Sequence, residues 1–194
     1  MPASGKKGVR TMRTPWGMSD HVVDYGNGIK FYGTPSHGGF KIPKKLNNQI
    51  PEYMRNENGW YEEDCEWSIP VVVGIFPSEN RISALDGALH TFKQYFWQEY
   101  ERFVNVVIPE GESWSKDEFL FIERNKNNYV VVSAVNSDRF KEMVECYAIR
   151  GGRNHDGQYA SNDEIHILIP EHEYDKRDRL FVVKDPEKYQ KCPK

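Results

Sequence analysis

Residues 20–43 read DHVVDYGNGIKFYGTPSHGGFKIP, and their punctuation limits what can form there. Two short β-type runs, DHVVDY and IKFYGT, flank a Gly-Asn-Gly, the residue types that accept the positive φ of a tight hairpin turn. A third run, GFKIP, continues the pattern into a meander and leaves Ser36 and His37 at the connection. The SHGG segment carries two readings. Glycines leave backbone N–H groups unobstructed, so the stretch around His37 can bind a small anion or stabilise an oxyanion. Pro35 and the pair Gly38 and Gly39 are equally what a sharp reversal between strands uses.

Moving outward, KKLNNQIPEYMRNEN over 44–58 is compatible with one short helix or an ordered loop. The stretch GWYEEDCEWSIPVVVGIFP over 59–77 places Glu62, Glu63 and Asp64 in the first turn of a helix, where negative charge meets the positive end of the macrodipole. Pro70 is expected to end or kink that helix. Adjacent helical positions diverge by about 100°, so the acidic run reads as a dipole partner rather than a set of metal ligands. A thiol nucleophile at Cys65 would need His37 or His90 as base, and its acidic neighbours raise a thiol's pKa. The following VVVGIF is apolar throughout and therefore buried.

SALDGALHTFKQYFWQEYERFV over 83–104 gives the clearest periodicity. Leu85, Leu89, Phe92, Phe96, Tyr100 and Phe103 recur every three or four residues and predict one long amphipathic helix, with Ser83 and Asp86 as a capping box. Beyond it, DEFLFIER, YVVVSAV, EMVECYAIRG, DEIHILIP and RLFVVKD read as strands of an antiparallel sheet. GGRNHDGQYASND, over 151–163, is a long loop rich in turn residues. The expected fold class is α+β: an antiparallel sheet, built from the N-terminal hairpin and the C-terminal strands, packed on one long amphipathic helix and one shorter helix. Residues 1–13 read as a flexible tail and 14–194 as a single globular domain.

The chain has 194 residues, 38% of them hydrophobic and 13% aromatic, which suits a packed protein rather than a disordered one. A net charge of −3 lacks the basic footprint of a duplex-coating protein, so direct nucleic-acid binding is disfavoured. No run of 18 apolar residues and no signal-peptide core is present, which makes no membrane association and a cytoplasmic location the expectation. Cys65, Cys146 and Cys192 lack CxxC spacing, and the six histidines lack HxH, HExxH or HxxxH spacing. No zinc motif, phosphate loop, nucleophile elbow or dinucleotide fingerprint occurs, so no metal site is assigned and the cofactor stays unknown. Trp16, Trp60 and Trp67 sit beside glycine or acidic residues rather than in a stripe, which marks them as core residues or as recognition residues.

Taken together, TPWG at 14–17, SHGGF at 36–40, GWYEEDCEW at 59–67 and YAIRGGR at 147–153 resemble a domain family of unknown function found in bacteriophages and mobile genetic elements. The resemblance runs from about Thr14 to Tyr189 and includes IHILIPEHEYDKR and FVVKDPEKY. It implies a compact domain with a helical middle and a β-rich C-terminal part, and carries no activity. The family pattern reads as an uninterrupted helix where this chain has Pro70. A binding surface is expected from Trp16, Ser36, His37, Gly38, Gly39, Trp60, Tyr61 and Arg153, with a small anion as a possible ligand. Two functions follow as expectations. One is an accessory protein of a phage or mobile element, in the cytoplasm of a bacterial host, that binds a host protein or complex and counteracts a defence or nucleic-acid-processing system. The other is a small hydrolase or nucleotide-binding enzyme that uses His37 as base or phosphate contact, with Asp64, Glu62 or Glu63 orienting it or a metal.

Overall fold

A computed structural model describes residues 11–78 and 83–193. Residues 1–10, most of the expected tail, lie outside the described residues, and Arg13–Thr14 already forms strand β1, paired antiparallel with β2 at Gly17–Met18. The chain gathers into two compact units, Met1–Ser115 and Lys116–Lys194, and each is described by itself. Helices and antiparallel sheets occur together, so the class is α+β. The N-terminal hairpin and the C-terminal strands belong to separate sheets.

In the first unit the expected meander is present: β3 (His21–Asp24), β4 (Lys30–Gly33) and β5 (Gly38–Lys41) pair in sequence. The β3–β4 turn is made by Gly26, Asn27 and Gly28, all at positive φ, as the Gly-Asn-Gly required. A fourth strand, β6 (Trp60–Glu62), joins β5 in the register Gly39↔Glu62 and Lys41↔Trp60. The helix expected to begin at Glu62, Glu63 and Asp64 therefore does not form there; Tyr61 takes an inward position and is sealed in the core, as alternation in a strand allows. The helix starts later, at Ser68–Val73, and Pro70 stands inside it rather than ending it. Pro70 falls in the first turn, where a backbone N–H has no intrahelical acceptor to lose. Gly74, at φ 89°, closes this helix. Residues 44–58 resolve into the short helix Lys44–Asn47 and a single 3₁₀ turn, Glu52–Met54.

The long helix expected over 83–104 is two helices, Leu85–Tyr95 and Trp97–Val104, broken at Phe96 with φ −127° and ψ 54°. Ala84, not Ser83, occupies the N-cap, and no side chain caps it, so the capping box is absent. Packing explains the break. Along a straight helix the eleven steps from Phe92 to Phe103 would span about 16 Å, whereas their ring centroids lie 6.4 Å apart. Folding back at Phe96 places Phe96, Tyr100 and Phe103 around the fully buried Phe92.

In the second unit, β7 (Tyr129–Asn136), β8 (Met143–Arg150) and β9 (Glu164–Pro170) form the centre of a five-stranded antiparallel sheet in the order β10-β7-β8-β9-β11, with β10 at Val182–Val183 and β11 at Gln190–Lys191. Val144, Cys146, Ala148, Ile167 and Ile169 bury one face of it. DEFLFIER, expected as a strand, lies in the helix Trp114–Asn125. Its apolar run is too short to distinguish the two states by periodicity, while Asp117 in the first turn and Arg124 in the last complement a helix dipole.

Candidate functional site

The site is assembled by the pairing of β5 with β6. His37 immediately precedes β5, Glu62 ends β6, and the Gly39↔Glu62 register brings both to the same end of the sheet. The reversal before β5 is held by Thr34, whose N–H donates to the His37 carbonyl at 2.8 Å and whose Oγ1 donates to the same oxygen at 2.6 Å. The His37 N–H donates back to Thr34 Oγ1 at 3.2 Å. Thr34 thus makes the turn, and the two glycines do not: Gly38 and Gly39 are strand residues without positive φ.

Their small size serves packing instead. A Cβ on Gly38 would stand 2.4 Å from Phe31 Cζ and 2.7 Å from Glu63 Oε2, and one on Gly39 would stand 2.2 Å from the Trp16 ring and 2.6 Å from the Tyr61 carbonyl. Any larger residue would displace Glu63 or Trp16. The glycines therefore admit a carboxylate on one side and an indole on the other.

Glu62 divides its carboxylate between two tasks. Oε2 accepts the backbone N–H groups of Asp64 at 2.6 Å and Cys65 at 3.3 Å, which stabilises the turn that follows β6. Oε1 is sealed from solvent and accepts no hydrogen bond, and it lies 3.9 Å from His37 Nδ1. The His37 side chain is 55% exposed and that of Glu62 19%, so a solvent-facing imidazole lies against a largely buried carboxylate. Burial pushes the Glu62 pKa above the ordinary carboxylate range, an effect only partly offset by the two N–H donors. One ligand atom each from His37, Glu62 and Glu63 lies within 4.8 Å of the others. The divergence expected of helical neighbours does not apply, because Glu62 ends a strand and Glu63 begins a turn.

Asp64, another candidate, gives its backbone N–H to Glu62 and its carboxyl adds to the upward push on the Glu62 pKa, but it is not one of the three clustered donors. Burial, then the charges of Glu62 and Glu66, raises the Cys65 thiol, as the acidic surroundings suggested, which removes it as a ready nucleophile. Tyr61 is a core residue: its hydroxyl donates to Asn47 Oδ1 at 2.8 Å and accepts the Asn56 N–H at 3.1 Å, and burial carries its pKa up to about 12. Trp60 is buried as well, under the edge of Trp16 with ring centroids 5.8 Å apart. The half-buried Trp16 and the buried Trp60 line a cleft of about 410 Å³ that Asn56 and Glu66 also line, and His37, Glu62 and Glu63 do not line it. Glu66 Oε2 accepts the Glu62 backbone N–H at 3.0 Å. Ser36 is exposed in the loop before His37. Arg153 belongs to the second unit, where its Nη1 donates to the Gly157 carbonyl at 2.8 Å and its guanidinium lies over Tyr159.

The segment that builds this site also places the protein among known sequences. Residues 9–126 match the family described as a domain of unknown function, DUF7007. The chain belongs to that family. The match includes the TPWG, SHGG and WYEEDC motifs and ends before the RGGR motif, so family membership rests on the first unit and the helix that follows it rather than on the stretch to Tyr189. No curated protein and no solved structure matches the DUF7007 chain. Among the described residues no helix is long and apolar enough to cross a membrane.

Proposed function

We propose that this DUF7007 protein is a small hydrolytic enzyme whose working groups are His37 and the carboxylates of Glu62 and Glu63. The observation that supports it is the 3.9 Å approach of an exposed imidazole to a solvent-sealed carboxylate oxygen with no hydrogen-bond partner. Buried polar atoms are almost always satisfied within the fold, and exceptions concentrate where a group is held for chemistry. An imidazole beside carboxylates can orient water and move its proton, and such groups contribute on the order of 10²–10⁴ in rate.

The test is turnover of chromogenic phosphodiester, phosphomonoester, carboxylic-ester and glycoside substrates by the full-length protein, alongside His37→Asn. One substrate class should be cleaved, and the variant should lose at least about 100-fold of that rate. No turnover in any class, or equal turnover by the variant, would sink the enzyme reading.

A second reading, an accessory protein that docks on a protein of a bacterial host, is supported by a different surface. Phe103, Val104, Val106 and Val107 are exposed around the end of the helix Trp97–Val104, and Val107 is 79% exposed. Contiguous apolar exposure of this kind is typical of contact surfaces. Capture from bacterial lysate should give one stoichiometric protein that Val107→Asp fails to retain; equal recovery by the variant removes this surface from consideration.

A further inference from the structure

We propose that His37, Glu62 and Glu63 bind one divalent first-row transition-metal cation, of the zinc or manganese class. The proposal rests on the hydrolytic reading of the same residues and says what completes them.

Distance is the first ground. Ions of this class sit about 2.0–2.2 Å from nitrogen and oxygen ligands, so neighbouring donors on a tetrahedral ion stand roughly 3.4 Å apart. His37 Nδ1 and Glu62 Oε1 are 3.9 Å apart, and all three donors fall within 4.8 Å. Closing the His37–Glu62 pair takes about half an ångström, and drawing in all three donors takes up to about 1.4 Å, within reach of rotations of the exposed His37 ring and of the Glu63 side chain.

The second ground is independent of the cluster's composition. Glu62 Oε1 is buried without a partner, which carries a desolvation cost that a cation would remove. Its sister oxygen is held by two backbone N–H groups, so the carboxylate is fixed with Oε1 turned toward His37. The third ground is Gly38, which leaves open the space that Glu63 Oε2 enters. A structural ion pair would need no such allowance for a second carboxylate.

Ligand type selects the ion. An imidazole nitrogen suits zinc or iron, and two carboxylates admit manganese as well, whereas magnesium and calcium favour all-oxygen shells. Three protein ligands leave a coordination position open, which is the pattern of catalytic rather than structural sites. Water held there loses a proton near neutral pH and becomes the nucleophile that hydrolysis requires. His37 would then be a ligand through Nδ1 rather than the base, the water at the open position giving its proton to bulk solvent and the leaving group taking one back from it.

Full-length protein stripped with EDTA and titrated with zinc or manganese chloride tests the site. Calorimetry should show one ion per chain, and bound manganese should lose the paramagnetic resonance signal of the free ion. Even outer-shell changes cost metal sites about 10–100-fold in affinity; His37→Asn and Glu62→Gln should each weaken binding by at least tenfold, with circular dichroism unchanged, while His90→Asn should bind as the parent does. Absence of saturable binding, or undiminished binding in both ligand variants, overturns the proposal. Hydrolysis that survives EDTA without ion binding overturns the metal site and leaves the enzyme reading standing. Ion binding without hydrolysis supports the metal site and removes the enzyme reading.

Discussion

Replacing Phe92 by alanine is expected to destabilise the first unit by about 3–5 kcal/mol, the range for removing a buried aromatic ring. Phe92 is 0% exposed. Phe96, Tyr100 and Phe103 close around it with ring centroids at 6.1, 5.9 and 6.4 Å. Phe92 stands on one arm of the break, Tyr100 and Phe103 stand on the other and Phe96 lies at the break itself, so the cavity borders both helices. The ring is the common contact of two elements, and its loss also frees the angle between them. Urea unfolding followed by tryptophan fluorescence would measure the change. A loss below about 1 kcal/mol, typical of an ordinary substitution, would mean that the two helices do not pack as described.

The same residues show what the sequence could and could not say about the fold. The periodic stripe picked out Phe92, which is sealed, and Leu89, Phe96 and Tyr100, which pack partly buried against the same core, because a 3.6-residue period reports which face is apolar; Phe103, at its end, stays exposed. The stripe could not report the break at Phe96: there is no proline or glycine at that point, and the cause is the gain from bringing Phe103 back onto Phe92. The three-stranded meander was legible from Gly26, Asn27 and Gly28, since positive φ is a demand on residue type that sequence displays directly. By contrast, Trp60–Glu62 joins the sheet through pairing with β5. A three-residue strand has no period long enough to announce itself, and the acidic run that follows imitates a helix start. DEFLFIER failed for the related reason that four consecutive apolar residues suit either state.

For the site, residue identity was legible and geometry was not. His37, Glu62 and Glu63 stood out as polar residues framed by glycine and tryptophan. Their convergence depends on the β5–β6 register, a contact across more than twenty residues that local patterning does not encode. The glycines of SHGG misled in an instructive way. Paired glycines suggest a turn, yet here the turn belongs to Thr34, and Gly38 and Gly39 are small because Glu63 and Trp16 occupy the space where their side chains would be. A glycine needed for space and a glycine needed for φ look identical in sequence.

Glu62→Gln should separate function from stability at this site. Glutamine retains an acceptor oxygen for the Asp64 and Cys65 N–H groups, so the turn after β6 keeps its support. Its amide nitrogen would replace the unpartnered Oε1 and face His37 Nδ1, which accepts a hydrogen bond when neutral. Hydrolysis should fall at least about 100-fold while the thermal midpoint at pH 7 stays level or rises. The sign of the pH dependence follows from the raised Glu62 pKa. A carboxyl group whose pKa is higher in the folded chain than in the unfolded chain holds its proton more tightly when folded. It favours folding at pH below the ordinary glutamate range and loses that contribution as pH rises through the folded value. Glutamine does not titrate, so variant and parent should be closest in stability under acid and diverge in favour of the variant as pH rises past the ordinary glutamate range. Thermal unfolding from pH 4 to pH 8 in EDTA would record this. A variant that is less stable than the parent at pH 7 would show Glu62 to be a structural carboxylate, its charge already satisfied inside the fold, and nothing would then remain for His37 to work with.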